Sequence, residues 1–410
     1  MRAILKRGGP FYPVKITIGG SKSESNRLLI LQALYPNITI ENLSESDDTE
    51  LLRAALKFQN GTVDVHHAGT AMRFLAAYFA ITDGLDIRLI GSKRMHERPI
   101  GILVDALEHL GADIEYLENE GFPPLRIRGK KLLKREVKIQ ANVSSQYISA
   151  LMLIAPKLIN GLKINLEGEV SSLPYIEMTS ALLGKIGVDV GFQKNTIAIE
   201  ATENIPSTTI VVESDWSSAS YYYSLVSLSE DMEISLENFS NESLQGDSAL
   251  ADIYRGLGVE TVFNSAEGIL LFKNNTPLPD SLILDLANTP DLAQTIVVNC
   301  FGLGIGCELT GLHTLKIKET NRLLALKTEL EKLGATVHID DNSLQLKKSS
   351  RILSNKTIET YQDHRMAMAF APLALKVDIN IDQAEVVSKS YPNFWNDLKN
   401  VGVSCILEED

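Results

Sequence analysis

One pattern recurs along this chain and narrows the folds open to it. A helix-like stretch runs into a glycine, and a short β run follows at once. Leu107-Glu108-His109-Leu110-Gly111 leads into Ala112-Asp113-Ile114, and Leu183-Gly184-Lys185-Ile186-Gly187 into Val188-Asp189-Val190. The pattern returns at Gly258, Gly334 and Gly402, with a weaker copy at Gly61. Glycine suits the left-handed backbone that ends a helix. After several copies a polar turn and a second β run follow: Glu118-Asn119-Glu120-Gly121 before Leu125-Arg126-Ile127, and Asp340-Asp341-Asn342 before Leu344-Gln345-Leu346. These read as hairpins. Helix–glycine–strand junctions occur in any α/β protein. Their near-regular spacing of roughly 70 residues, each with a following β run, favours true repeats. The expectation is an α/β fold of six mixed units in two lobes of three, dividing near Val211-Val212-Glu213-Ser214. No Pro- or Ser-rich linker separates the halves, so any crossing between them is short.

A chain of 410 residues with 44% apolar and 22% charged residues can bury a large core without staples. Its 39 Lys plus Arg against 52 Asp plus Glu give a net charge of −13, which argues against nucleic acid and anionic membrane as partners. The cysteines Cys300, Cys307 and Cys405 form no CxxC pair and no framework, which suits a reducing compartment. The N-terminus shows no signal-peptide pattern, and no apolar run is long enough to span a bilayer. A cytoplasmic location is expected.

The helix starts carry more chemistry than the helix ends. Val14-Lys15-Ile16-Thr17-Ile18 alternates like a strand, Gly19-Gly20 breaks it, and Ser21-Lys22-Ser23-Glu24-Ser25-Asn26-Arg27 opens an apolar helix. Serines there cap free N–H groups, and the same groups can hold a phosphate or carboxylate. Ser23 and Arg27 share one helix face. This segment alone supports two readings: an anion cradle, or an ordinary capped helix with a solvated Lys and Arg. Similar polar starts recur at His67–Arg73, Val143–Gln146, Asn288–Asp291, Lys318–Arg322 and Asp363–Arg365. Capping explains Ser, Thr, Asp and Asn. It does not explain Lys22, Lys318, Arg322 and Arg365, which the helix dipole disfavours. Such misplaced cations mark sites, and several positive helix ends facing one way would suit a small polyanion.

Other constellations are weak. The seven His form no HExxH, and the pair His66-His67 is more simply structural than metal-binding. Gly302-Leu303-Gly304-Ile305-Gly306 lacks the third glycine of a dinucleotide fingerprint. Cys300 and Cys307 lie in an apolar segment and read as buried and inert.

Taken in order, the motifs resemble one family. Gly20-Ser21-Lys22-Ser23-x-Ser25-Asn26-Arg27, Ala68-Gly69-Thr70-Ala71-Met72-Arg73 and Arg94-Met95-x-Glu97-Arg98-Pro99-Ile100 are similar to signatures of the 5-enolpyruvylshikimate-3-phosphate synthases. Ser144-Ser145-Gln146-Tyr147, Ser172-x-Pro174-Tyr175-Ile176, Pro290-Asp291, Lys318-Glu319-Thr320-x-Arg322-Leu323, Asp363-His364-Arg365-Met366-Ala367-Met368 and Ser388-Lys389-Ser390-Tyr391-Pro392 follow in that family's order. The resemblance implies two lobes of three βαβαββ-like units, an inside-out α/β barrel with helix starts directed at an interlobe cleft. It assigns 14–212 to the first lobe and 1–13 plus 213–410 to the second.

It further implies transfer of the enolpyruvyl group of phosphoenolpyruvate (PEP) to the 5-hydroxyl of shikimate 3-phosphate, in the shikimate pathway to chorismate and the aromatic amino acids. No metal or cofactor is implied. By resemblance, Lys22, Ser23, Arg27, Ser144, Ser145, Gln146, Ser172, Asp291 and Lys318 bind shikimate 3-phosphate. Lys22, Gly69, Arg98, Gln146, Arg322, Arg365 and Lys389 bind PEP. Asp291 is the candidate base for the hydroxyl, and Glu319, with Lys22 or Lys389, the candidate proton donor. Gly69 is expected to let backbone approach the ligand. The resemblance implies a monomer and a target of glyphosate. Gly19, His67, Phe74 and Asn321 depart from the family's usual residues but remove no proposed charge, and Thr314 stands where a substrate-contacting Asn is common. The main rival is the sister transferase acting on UDP-N-acetylglucosamine, which usually carries a Cys in its first lobe; none precedes position 300 here. A non-catalytic α/β-repeat binding protein is the other alternative, and it would not need Asp291 and Glu319 beside the cations.

Overall fold

The structure, a computed structural model, describes residues 1–168, 170–264 and 268–409. The backbone hydrogen bonds display the repeat directly. A strand, a crossover helix and a second, parallel strand are followed by another helix and two antiparallel strands, the last of which pairs with the second. Asn60–Asp64, the helix Gly69–Ile81 and Asp86–Ile90 make the first half of one copy, and Gly101–Leu110 with the pair Asp113–Tyr116 and Leu125–Arg128 the second half. Glu136–Gln140 starts a copy that ends at Ile199, and Ser281–Asp285 one that ends at Leu346. Parallel neighbours require a long crossover, and a helix is the usual solution.

The chain divides into two compact lobes. The first is Gly20–Val212; the second joins Met1–Gly19 to the chain from Glu213 onward. Residues 14–19, expected in the first lobe, lie in the second. Val14–Ile16 pairs in parallel with Ile234–Leu236, and Ile16 is buried in the same core as those two residues. The partner strand, not the neighbouring sequence, decides the lobe.

Besides the copy that takes Val14–Ile16 as its first strand, two copies are modified. In the last, the closing strand comes from the N-terminus: Arg2–Lys6 lies between Ile379–Asp382 and Ser404–Glu408, antiparallel to both. In the first lobe, Thr208–Val211 and Ile38–Glu41 form a two-stranded parallel sheet with no hairpin. That explains the weak copy at Gly61. Its helix ends at Ala55, and the chain runs straight into the next repeat, so Gly61 (φ 104°) sits inside the strand Asn60–Asp64 and ends no helix. Gly111, Gly187, Gly258, Gly334 and Gly402 do take left-handed backbone between a helix and a strand.

The crossover helices are buried on nearly all sides. In Trp216–Leu228 every residue but Ser217 is buried, and in Ser145–Ile154 all but Gln146. Such helices belong inside a layer of sheets rather than on a surface. Each begins just after the carboxyl end of a strand, so its free N–H groups and positive end follow that strand's tip.

The paired position of Arg2–Lys6 has a measurable consequence. Leu5 is fully buried, so Leu5→Ala should cost about 3 kcal/mol in chemical denaturation. A loss near zero would mean that the N-terminal strand is dispensable.

Candidate active site

Nearly all the proposed residues stand at or just before helix starts, and each lobe assembles its own set. In the first lobe, Lys22 opens the helix Lys22–Leu34, where its ammonium pairs with Asp48 at 3.1 Å. Asp48 sits in the first turn of the helix Asp47–Ala55. Arg27, one turn further on, is 2% exposed. Its guanidinium donates to Ser23 O (2.8 Å), Thr179 Oγ1 (2.7 Å), Ser149 Oγ (3.0 Å) and Tyr175 O (3.3 Å), and lies near the rings of Phe74 and Tyr175. Burial lowers its pKa to about 10 although Tyr175 and Glu24 act in the opposite direction. Neutral oxygens and aromatic faces, rather than carboxylates, solvate this cation.

The start of Gly69–Ile81 meets the starts of its neighbours. Gln146 Nε2 donates to Thr70 Oγ1 at 3.2 Å, while Ser144 caps the helix from Ser145 by accepting from Gln146 N. Ser172 takes left-handed backbone (φ 55°) at the head of Leu173–Lys185. Arg73 donates to Gly69 O and Pro99 O, and Tyr147 OH also reaches Pro99 O at 2.6 Å. These bonds fix the segment that carries Arg98.

Arg98 is the least compensated cation of the site. It is 8% exposed, its Nε has no hydrogen-bond partner, and no ion pair reaches it among the described residues. Its head lies against Gly69: a Cβ there would be 2.5 Å from Nη1 and 2.8 Å from Cζ. The space that Gly69 leaves therefore holds the Arg98 guanidinium, where the sequence reading placed ligand. A buried cation at a positive helix end is unfavourable twice over without an anion.

The second lobe pairs Arg322, Arg365 and Lys318 with carboxylates. Arg322, 2% exposed, donates through Nε to Asp363 (2.7 Å), through Nη1 to Asp291 (2.8 Å) and through Nη2 to Glu319 (2.8 Å). Arg365 donates to Asp291 Oδ2 and to Asp291 O, both at 3.2 Å, and Lys318 approaches Asp291 at 3.4 Å. Burial pushes the Asp291 carboxyl up, but Arg365, Lys318 and Arg322 outweigh it and hold it well below the usual carboxylate range. Asp363 also caps the helix His364–Phe370 by accepting from Arg365 N at 2.9 Å. Lys389 stands one step aside; its ammonium donates to Gln362 O at 2.7 Å. The cluster combines fixed cations with a carboxylate held ionised among them, which suits proton transfer beside a bound anion.

Comparison with known proteins gives the family. A family model described as EPSP synthase (3-phosphoshikimate 1-carboxyvinyltransferase) matches residues 53–398. A 3-phosphoshikimate 1-carboxyvinyltransferase of Bacteroides fragilis (strain YCH46) is 45% identical over 399 residues, covering 96% of this chain and 97% of that protein. The chain belongs to the EPSP synthase family. A second relative of the same description, from Shewanella halifaxensis (strain HAW-EB4), is 36% identical over 413 residues, covering 93% of this chain and 95% of that protein. EPSP synthase from Acinetobacter baumannii shares the fold, with a TM-score of 0.76 at 19% identity over 99% of this chain and 100% of that one.

Within this EPSP synthase framework, the sequence reading missed the residues that hold the named ones in place. Asp48, Thr70, Ser149 and Thr179 bond to Lys22, Gln146 and Arg27 from other helices. Thr70, Ser149 and Thr179 show only as polar residues on largely apolar helices, and Asp48 only as part of an acidic first turn; both signals are too common to single out. Asp363 did carry a signal, as a capping Asp two residues before the misplaced cation Arg365.

Removing Asp363 leaves the buried Arg322 short of its innermost partner. Asp363→Ala should therefore destabilise by about 3–5 kcal/mol. A denaturation midpoint equal to the parent's would mean that Arg322 is solvated some other way.

Proposed function

We propose that this chain carries out the reaction of its family and that the two sets of residues described above serve it. PEP is protonated at its methylene carbon while the 5-hydroxyl of shikimate 3-phosphate attacks its central carbon. The tetrahedral adduct then loses phosphate and a methyl proton, leaving the enol ether. The observation that carries this reading is the contrast between the lobes: a buried, uncompensated Arg98 in one, and a carboxylate clamped by three cations in the other.

Both substrates are polyanions, and arginine meets carboxylate and phosphate with two parallel hydrogen bonds. Arg98, Arg322 and Arg365, with Lys22, Gly69, Gln146 and Lys389, receive PEP. Lys22, Ser23, Arg27, Ser144, Ser145, Gln146, Ser172, Asp291 and Lys318 receive shikimate 3-phosphate. Asp291 takes the hydroxyl proton. As it stands, with its pKa held down, Asp291 is a poor base. A substrate anion that engages Arg322 and Arg365 shares their charge, and the carboxylate regains basicity when the hydroxyl is present. Glu319, already in contact with Arg322, is the donor to the methylene carbon, with Lys22 or Lys389 as the alternative source.

One chain carries every residue assigned here, so the reading needs no second copy. No described helix is long and apolar enough to cross a membrane. The three cysteines are buried and unpaired, which suits the cytoplasm.

Phosphate release from PEP should require shikimate 3-phosphate. Release driven by UDP-N-acetylglucosamine instead would transfer the chain to the sister reaction. Asp291→Asn should lower kcat by about a hundredfold or more while the folded-state circular dichroism is kept. Near-normal turnover would remove Asp291 as the base.

A further inference from the structure

We propose that Asp247 is a positioning residue: through the Ser217 hydroxyl it orients the guanidinium of Arg365 and, with it, Asp291. This rests on the assignment of Arg365 and Asp291 just given. Ser217 Oγ accepts from Arg365 Nη2 at 3.2 Å, and the same Nη2 donates to Asp291 Oδ2 at 3.2 Å. Ser217 also forms a short hydrogen bond to Asp247 Oδ2.

The direction of these bonds is forced. A guanidinium can only donate, so Ser217 must spend a lone pair on Arg365 and aim its single proton elsewhere. Ionised Asp247 can only accept, and so it fixes that proton's direction. A neutral partner could reverse the hydroxyl and compete with Arg365 for its lone pairs.

Asp247 is held rigidly for this task. It lies in a short turn, Gly246–Ala249, ahead of the helix Leu250–Arg255. Two residues earlier, Gln245 accepts from Trp216 N at 3.0 Å and donates to Ser214 O at 2.8 Å, tying the turn to the start of Trp216–Leu228. Gln245 Nε2 also donates to Glu213, which accepts in turn from Trp216 Nε1 and Ser240 N. Asp247 itself is 6% exposed. The charged groups acting on it are Asp291, Arg365 and Asp215. A buried carboxylate beside two others and supported by one hydroxyl has no evident structural advantage over a neutral residue. Burial first, then the charge of Asp291, pushes its pKa up to about 6. It is therefore ionised at neutral pH and takes up a proton as the pH falls through that value, releasing the constraint on Ser217.

Asp247→Asn keeps the shape and removes the fixed acceptor; Ser217→Ala removes the link. Steady-state assays with PEP varied at saturating shikimate 3-phosphate separate the roles. For both variants at pH 7.5 the KM for PEP should rise about tenfold, the equivalent of one hydrogen bond to a charged group, with a smaller fall in kcat. The parent's KM relative to that of Asp247→Asn should converge as the pH is lowered from 7.5 to 5.5, because the parent loses the same charge by protonation. Parent-like KM values with an unchanged pH profile in Asp247→Asn would overturn the proposal. If that variant fails to fold, a parent-like KM in Ser217→Ala does so alone. A parent enzyme that releases no phosphate with shikimate 3-phosphate would overturn the underlying assignment, whereas an active parent with indifferent variants overturns only the role of Asp247.

Discussion

The repulsion between a cation and the positive end of a helix governs how this protein is built around its site. Each repeat starts its helices after strands, and the motifs place Lys22, Arg322 and Arg365 in the first turns of three of these helices. A fold does not tolerate that placement without compensation. The compensation comes from other elements: Asp48 for Lys22, and Asp291, Glu319 and Asp363 for the two arginines. Asp291 and Glu319, the two acids proposed for proton transfer, are thus also among the acids that let the cations exist where they do. Catalytic placement and folding stability are coupled through the same ion pairs.

Much of the architecture was legible because it rests on local rules. The glycines that end helices, the hairpin turns and the capped helix starts each declare themselves within a few residues. Legibility failed where a strand finds its partner far away in sequence. Nothing near Val14–Ile16 announces a pairing with Ile234–Leu236, and nothing near Arg2–Lys6 announces that it completes a sheet begun at Lys356–Ile358. The missing hairpin of the first repeat misled for a related reason. Gly61 occupies the expected interval, but a left-handed glycine can interrupt a strand as readily as it can end a helix.

The site was legible to a different depth. Charged residues in the wrong helical position could be picked out, together with the motifs that carry them. Their supports could not, because Ser149, Thr179 and Ser217 are ordinary small polar residues until the packing brings an arginine to them. Net charge was the least informative quantity. At −13 it describes the far field, while the sign of a site is set by the few groups within reach of a ligand.

Three buried arginines show how differently one residue type can be used. Arg27 is surrounded by neutral oxygens and rings, so its charge is spread over a packing junction of several helices. Arg322 is matched by three carboxylates, so an arriving anion gains little unless it displaces one of them. Arg98 has neither kind of compensation among the described residues, so an anion there gains most of the interaction outright. Binding strength and chemical response therefore fall on different residues. Arg98 is suited to capture, because its charge is still unmet. Arg322 and Arg365 are suited to switching, because Asp291 is the carboxylate they share and an anion that engages both competes with it. In the reaction proposed above, that competition is the step that turns a carboxylate held ionised in the free protein into one able to take a proton when substrate is in place.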